Sequence, residues 1–299
     1  MKKVLIMGVN GMLGSMLFNY FNKQENYEVF GTFFGANPFP ANENLTHFDA
    51  SGQVEEQIKV IAGRFQPGYI INCIGIIKPW CKDDDPAGVK NAIVVNALFP
   101  HLLAEACAQL SPATRILTIA TDCVYSGSKG HYTEIDPHDP LDVYGKTKSL
   151  GETRLPNTLN IRTSIIGPEL TGKKSLLEWF LSNPDGSTVQ GFTHHRWNGV
   201  TTLQFARLCD RIMSENLFDS WRKINHVVHW VENESVNKYE LLLIFNDVFE
   251  RKINIIPVSD IGETIDRTLD SEMLAVERKP MIKAVQSMVE WWNSGIVEQ

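Results

Sequence analysis

The chain has 299 residues and carries no block of Lys or Arg, no CxxC pair and no internal repeat. No uninterrupted apolar run approaches the ~18 residues that a membrane span needs. Each absence removes a class of function. With a net charge of −7 and scattered cations, a nucleic-acid partner is not expected, because phosphate backbones are gripped by clustered positive charge. The missing apolar run argues against a membrane partner. The five cysteines (Cys73, Cys81, Cys107, Cys123 and Cys209) are odd in number and spaced too irregularly for a disulfide frame or a zinc knuckle. They fit free thiols in a reducing, cytoplasmic setting, and no metal site is expected. Lys2-Lys3 followed by an apolar stretch imitates a signal peptide, but Gly8, Asn10, Gly11 and Gly14 interrupt it. Strand, glycine turn and helix is the better reading.

What is present is an alternation. Val4–Met7, Tyr27–Thr32, Tyr69–Ile74, Arg115–Ala120 and Thr158–Thr163 read as strands. Met12–Phe21, Gln53–Phe65, Ala87–Leu110 and Asp142–Arg154 read as helices between them. This predicts an α/β fold, a doubly wound parallel sheet of the Rossmann type spanning residues 1–167. After Gly167 breakers multiply, and helices over Ser175–Leu181, Thr202–Ser214, Val236–Phe249 and Ala275–Trp292, with a strand at Asn225–His229, predict a smaller mixed lobe. Residues 168–299 would mainly bind substrate, with some segments returning to the first domain.

The turn Gly8-Val9-Asn10-Gly11-Met12-Leu13-Gly14 follows the first strand and opens the first helix. Gly8 permits the turn, Gly11 lets backbone approach a pyrophosphate, and Gly14 lets the helix pack close to the sheet. Amides at the helix N-terminus then face the phosphates. A dinucleotide is therefore expected here, NAD or NADP. The second strand ends Gly31-Thr32-Phe33-Phe34, with neither the acid that favours NAD nor an arginine for NADP. Asp49 either lines the adenine pocket or caps the next helix. Asn72 and Gly75 end another strand and should line the same crevice. Asn96, mid-helix among apolar residues, either links backbone segments or holds a water beside the active lysine.

Tyr144 and Lys148 lie four apart, one turn of one helix face. An ammonium there lowers the phenol's pKa and fits Tyr144 to exchange a proton as hydride moves at carbon. The lysine also reaches cofactor ribose. Tyr125 and Lys129 share the spacing, but sit in a glycine- and serine-rich loop that cannot hold helical register. Thr121, just past the Arg115–Ala120 strand, would hydrogen-bond a substrate oxygen beside Tyr144. In the later lobe Arg196 could grip a substrate diphosphate and Trp197 could stack on a base or sugar; surface charge and core packing are the alternatives. His194-His195 lacks a third metal ligand in sequence.

GVNGMLG (8–14), TDCVYSG (121–127), YGKTKSLGE (144–152) and RTSIIGP (162–168) together resemble the extended short-chain dehydrogenase/reductase family. Within it the resemblance runs to the dTDP-4-dehydrorhamnose reductases, and is specific through about Pro168. It implies reduction of a 4-keto group on a nucleotide-linked deoxysugar, in nucleotide-sugar or surface polysaccharide biosynthesis. Thr121, Tyr144 and Lys148 would be the catalytic set. Cys123 stands where such reductases usually carry tyrosine. GDP-fucose synthase is similar in having a cysteine there, which implies an epimerase/reductase in which Cys123 moves protons; a small buried thiol is the plain alternative. The regulatory beta subunit of methionine adenosyltransferase resembles the same reductases, which implies a third role as a dinucleotide-binding partner. A homodimer is compatible with the sequence.

Overall fold

The computed structural model describes residues 1–40, 42–170, 172, 174–259 and 262–294. Six strands of the main sheet come from the first 162 residues: β1 Lys2–Met7, β2 Tyr27–Phe33, β3 Leu45–His47, β4 Tyr69–Asn72, β5 Arg115–Ala120 and β6 Thr158–Arg162. A seventh, Val227–His229, returns from the C-terminal half to pair with β6. The order is 227–229, β6, β5, β4, β1, β2, β3, and every pairing is parallel. The doubly wound expectation is borne out.

Both faces of the sheet are covered, and strand alternation shows it. Val4 and Ile6 of β1 join one core with α1 (Met12–Asn22) and the helix Thr202–Ser214. Leu5 and Met7 join the other, with α2 (Val54–Phe65) and the helix Pro86–Leu110. Burial of Val54, Ile58, Ile61 and Phe65 follows the helical period, and each such side chain contributes roughly 1.5–3 kcal/mol. The Thr202–Ser214 helix is pinned to α1 and β2 through Asp210, which accepts hydrogen bonds from Tyr20 (3.0 Å) and Tyr27 (2.6 Å).

The helix Pro86–Leu110 divides into α3 (Pro86–Ala92), a π-wound turn (Ile93–Leu98) and α4 (Phe99–Leu110). It is long and apolar enough by length and composition to cross a membrane, but half of that stretch is buried inside this fold. Pro100 has no N–H to return to the Asn96 carbonyl, and the turn widens there. Gly151 fills the space: a Cβ at that position would stand 2.0 Å from the Asn96 oxygen. That packing explains why α5 spans only Val143–Leu150 rather than running to Arg154.

Other boundaries also moved. The strand expected over Tyr69–Ile74 stops at Asn72, whose side chain accepts from the Ile74 amide at 3.1 Å. The last helix begins at Met281, after Pro280, not at Ala275. In the later lobe, strands Thr188–Phe192 and Asn254–Val258 pair in parallel, while His195–Trp197 lies between Val236–Asn237 and Ile265–Asp266. The helix Lys238–Val248 follows directly, held by a capping box between Asn237 and Glu240.

Candidate active site

The sheet's strand order reverses between β1 and β4, and a crevice opens beyond their carboxyl ends. Its main cleft, about 640 Å³, is lined by Asn10, Gly11, Met12 and Leu13 on one side and by Thr121, Cys123, Tyr144 and Lys148 on the other. A second cavity of about 360 Å³ continues it past Gly8, Thr32, Phe34 and Asp49. The two share Asn10, Gly11 and the backbone from Cys73 to Ile76.

The glycine turn behaves as its spacing implies. Gly8 takes φ +82°, a left-handed conformation that favours glycine. A Cβ on Gly14 would stand 2.1 Å from the Gly8 oxygen, so Gly14 serves close packing and does not line the cleft. Asn10 donates to the Phe34 carbonyl at 2.8 Å, tying the turn to the end of β2. No side chain caps α1, so its first amides face the cleft unscreened, where an anion is favoured.

Thr121 follows β5 and starts a short turn. Its hydroxyl accepts from the Cys123 amide (3.2 Å) and donates to Asp122 (3.2 Å). Asp142 caps α5, accepting from Gly145 N at 2.8 Å, and pairs with Lys78 at 2.7 Å. Gly145 lets α5 lie against the Thr121 turn, because a Cβ there would meet the Cys123 oxygen at 2.2 Å. Tyr144 is thereby brought beside Thr121 and Cys123. Tyr125, the other tyrosine with this spacing, is fully buried and donates to Thr133 O at 2.9 Å, while Lys129 pairs with Asp136.

The electrostatics depart from expectation. Burial pushes the Tyr144 phenol up, well above its ordinary range; charge on Cys123 would add to this, and the Thr121 hydrogen bond opposes it. Lys148 is not among the main causes; one of its ammonium's three N–H groups goes to the Ile119 carbonyl at 2.9 Å. Burial also brings Lys148 itself down from 10.5 to about 8, with Glu152 and then Cys73 pulling the other way. Cys123 is pushed up to about 12, mainly by burial. Asp49 is held below the usual carboxylate range, chiefly by the Ser51 hydroxyl and then its amide; it closes a local turn and lines the second cavity, and does not cap α2, whose N-cap position is Gln53.

The Lys148 shift carries a stability consequence. Below about pH 8 folded and unfolded chains both hold the proton, and the fold bears the full cost of the buried charge. Between about 8 and 10.5 the unfolded chain holds more protons, so stability rises with pH. The shift corresponds to roughly 3 kcal/mol, less about 1 kcal/mol for the Ile119 hydrogen bond. Lys148→Met should therefore melt about 4–8 °C higher at pH 7, a gain that fades as pH rises from about 8 to 10.5. Equal or lower melting at pH 7 would contradict this.

Several expected site residues lie elsewhere. Asn72 is buried under the crevice floor, and Asn96 accepts from Ile76 N (2.7 Å) and donates to Ile76 O (2.9 Å) and Thr147 (3.3 Å). It is a backbone clamp; its amide does not face the cleft. Gly75 does line both cavities. Arg196 points outward and donates to Ser235 at 2.6 Å, because neighbours on a strand face opposite ways. Trp197, the next residue, faces the cleft. His195 Nε2 lies 3.2 Å from the Glu263 carbonyl, and no cluster of three metal-ligating side chains occurs among the described residues. Sequence reasoning missed Trp80, Glu169, Lys174 and Lys238, which also line the cleft. Of these only Lys238 left a signal, a cation in the first turn of a helix, where the dipole disfavours it.

The family model described as RmlD substrate binding domain matches residues 1–296. The methionine adenosyltransferase 2 subunit beta of Rattus norvegicus is 27% identical over 256 residues, 83% of this chain and 72% of that protein. Among solved structures, the dTDP-4-dehydrorhamnose reductase of Bacillus anthracis, in complex with NADP, superposes with a TM-score of 0.75 at 18% identity, covering 97% of this chain and 100% of that one. The Bordetella bronchiseptica enzyme WbmH, in complex with NAD+, gives 0.72 at 18% identity, covering 98% and 99%.

Proposed function

The chain belongs to the RmlD substrate binding domain family, and from that we propose that it reduces the 4-keto group of a nucleotide-linked deoxysugar with a nicotinamide dinucleotide. The observation that carries this reading is the meeting of Thr121, Tyr144 and Lys148 in one cleft, opposite the uncapped start of α1. A bound dinucleotide supplies hydride. The chain's own groups do the rest. Gly11, Met12 and Leu13 present backbone to its phosphates. Tyr144, kept protonated through neutral pH, gives its proton to the ketone oxygen. Thr121 is the phenol's hydrogen-bonding neighbour and, by turning its one proton from Asp122, supports the charge left behind. Cys123, up at about 12, also keeps its proton; such a thiol can supply a proton but is a poor base, which weighs against the epimerase/reductase reading.

The second cavity favours NAD over NADP. Its lining carries the ionised Asp49 and, among the described residues, no Lys or Arg. A 2′-phosphate would enter it with about two negative charges and no cation.

A second reading follows from the similarity to a regulatory subunit of methionine adenosyltransferase: dinucleotide binding in the service of a protein partner. One experiment separates the two. Purified protein is mixed with NADH or NADPH and a panel of nucleotide-linked 4-keto sugars, and loss of the reduced nicotinamide's absorbance is followed. Turnover is expected, with NADH at least tenfold better than NADPH in kcat/KM, about 1.4 kcal/mol. Tight NADH binding without turnover of any sugar would favour the regulatory role.

A further inference from the structure

Besides Lys174, whose ammonium lies 5.5 Å from the centre of the Trp80 ring, four cations stand around the Thr121–Tyr144 end of the cleft. Three have protein partners: Lys148 on Ile119 O, Lys78 on Asp142, and Arg267 on Tyr125 O at 3.0 Å. The fourth, Lys238, has none among the described residues. Its ammonium lies 5.2 Å from the centre of the Trp197 ring and makes no hydrogen bond or ion pair. Asp122 attracts it and Arg267 repels it, with no hydrogen bond or ion pair to either.

Lys238 is costly where it stands. It occupies the first position of the Lys238–Val248 helix, where the dipole already presents positive charge. Burial holds its pKa below the ordinary lysine value. Lys238 is partly exposed to the cleft, and a cation held partly out of water without an acceptor is disfavoured. The Asn237–Glu240 capping box fixes the turn that carries it, so its placement in the cleft is built.

We propose that Lys238 is the anchor for a phosphoryl group of the substrate, held over Trp197 at the side of the cleft away from the glycine turn. Both residues come from the later lobe, whereas the phosphates of the dinucleotide face α1. An anion at Lys238 is therefore carried by the second ligand. The role assigned in sequence to Arg196 falls to Lys238 instead. This rests on the nucleotide-sugar reading and goes further by naming the residue that holds the phosphate.

The test uses nucleoside diphosphates as probes, with the full chain. UDP and dTDP, and the matching nucleosides, are titrated by calorimetry with and without saturating NADH. The diphosphates are expected to bind at least tenfold tighter than their nucleosides. Lys238→Met should remove tenfold or more of that margin, Lys238→Arg should keep most of it, and NADH affinity should stay within about twofold of wild type in both. Lys238→Met should also melt no lower than wild type, since an unpaired charge is lost. No margin in the wild type, or a margin intact in Lys238→Met, overturns the proposal. Failure of NADH to bind would count against the dinucleotide reading alone, because the titration without NADH still decides the role of Lys238.

Discussion

Replacing Tyr144 by phenylalanine is expected to lower kcat for ketone reduction by about a hundredfold or more, with dinucleotide affinity little changed. The phenol stands beside Thr121 in the cleft and is protonated for the task. Burial keeps it in the acid form at neutral pH, and the Thr121 hydroxyl lies within hydrogen-bonding reach to steady the developing anion. Cys123 keeps a proton too and lines the same cleft, but its thiol is a weaker hydrogen-bond donor than a phenol. The fold should survive, because Phe retains the ring that packs and loses only the hydroxyl. A fall in kcat without a matching change in NADH Kd is the signature of a group used in the transition state. Wild-type turnover in Tyr144→Phe would remove the proton-donor role, whatever sugar proves to be the substrate.

The same residue shows what the sequence could and could not convey. The spacing of Tyr144 and Lys148 revealed a shared helix face, because that is a local property of a 3.6-residue period. Their pKa shifts were not legible, and the expected sign for Tyr144 was wrong. A lysine one turn away favours the phenolate, but burial disfavours it more, and how deeply α5 is covered is decided by distant segments. The main-sheet strands and their order class were readable for the same local reason: parallel strands buried on both faces are continuous apolar runs. The short later strands such as His195–Trp197 and Ile265–Asp266 were not, because two or three residues carry no periodicity. Asn96 was singled out correctly as a buried amide needing partners, but those partners, Ile76 and Thr147, are 20 and 51 residues away. Nothing local could choose between clamp and catalytic water.

A second large effect is expected in a residue pair far less conspicuous in the sequence. Glu152→Gln should destabilise the fold by about 3–5 kcal/mol, the cost of stranding a buried charge, and lower the melting temperature on the order of 10 °C. Arg162 ends β6 with only 3% of its side chain exposed, and Glu152, just past α5, with 4%. The pair is bidentate, at 2.7 and 2.6 Å. The remaining guanidinium donors go to Tyr125 OH at 2.7 Å, His229 Nε2 at 3.2 Å and His138 Nε2 at 2.5 Å, so all five N–H groups are used. Both histidines accept only when neutral, and burial, with Arg162 nearby, holds them so; His229 is brought down to about 4. The sign follows: the unfolded chain takes up protons near 6.5 before His229 does, so stability should fall as pH drops from about 6.5 towards 4. Replacing both partners, Glu152→Met with Arg162→Met, should recover much of the loss, since an apolar pair leaves no stranded charge. Scanning calorimetry of the single and double variants decides it, and a single variant that melts like wild type would mean that the charge is not sequestered. The network ties the end of the helix bearing Tyr144 and Lys148 to the strand that follows. It gives a physical reason for the Glu that closes YGKTKSLGE and the Arg that opens RTSIIGP: they hold the catalytic helix in register with the sheet.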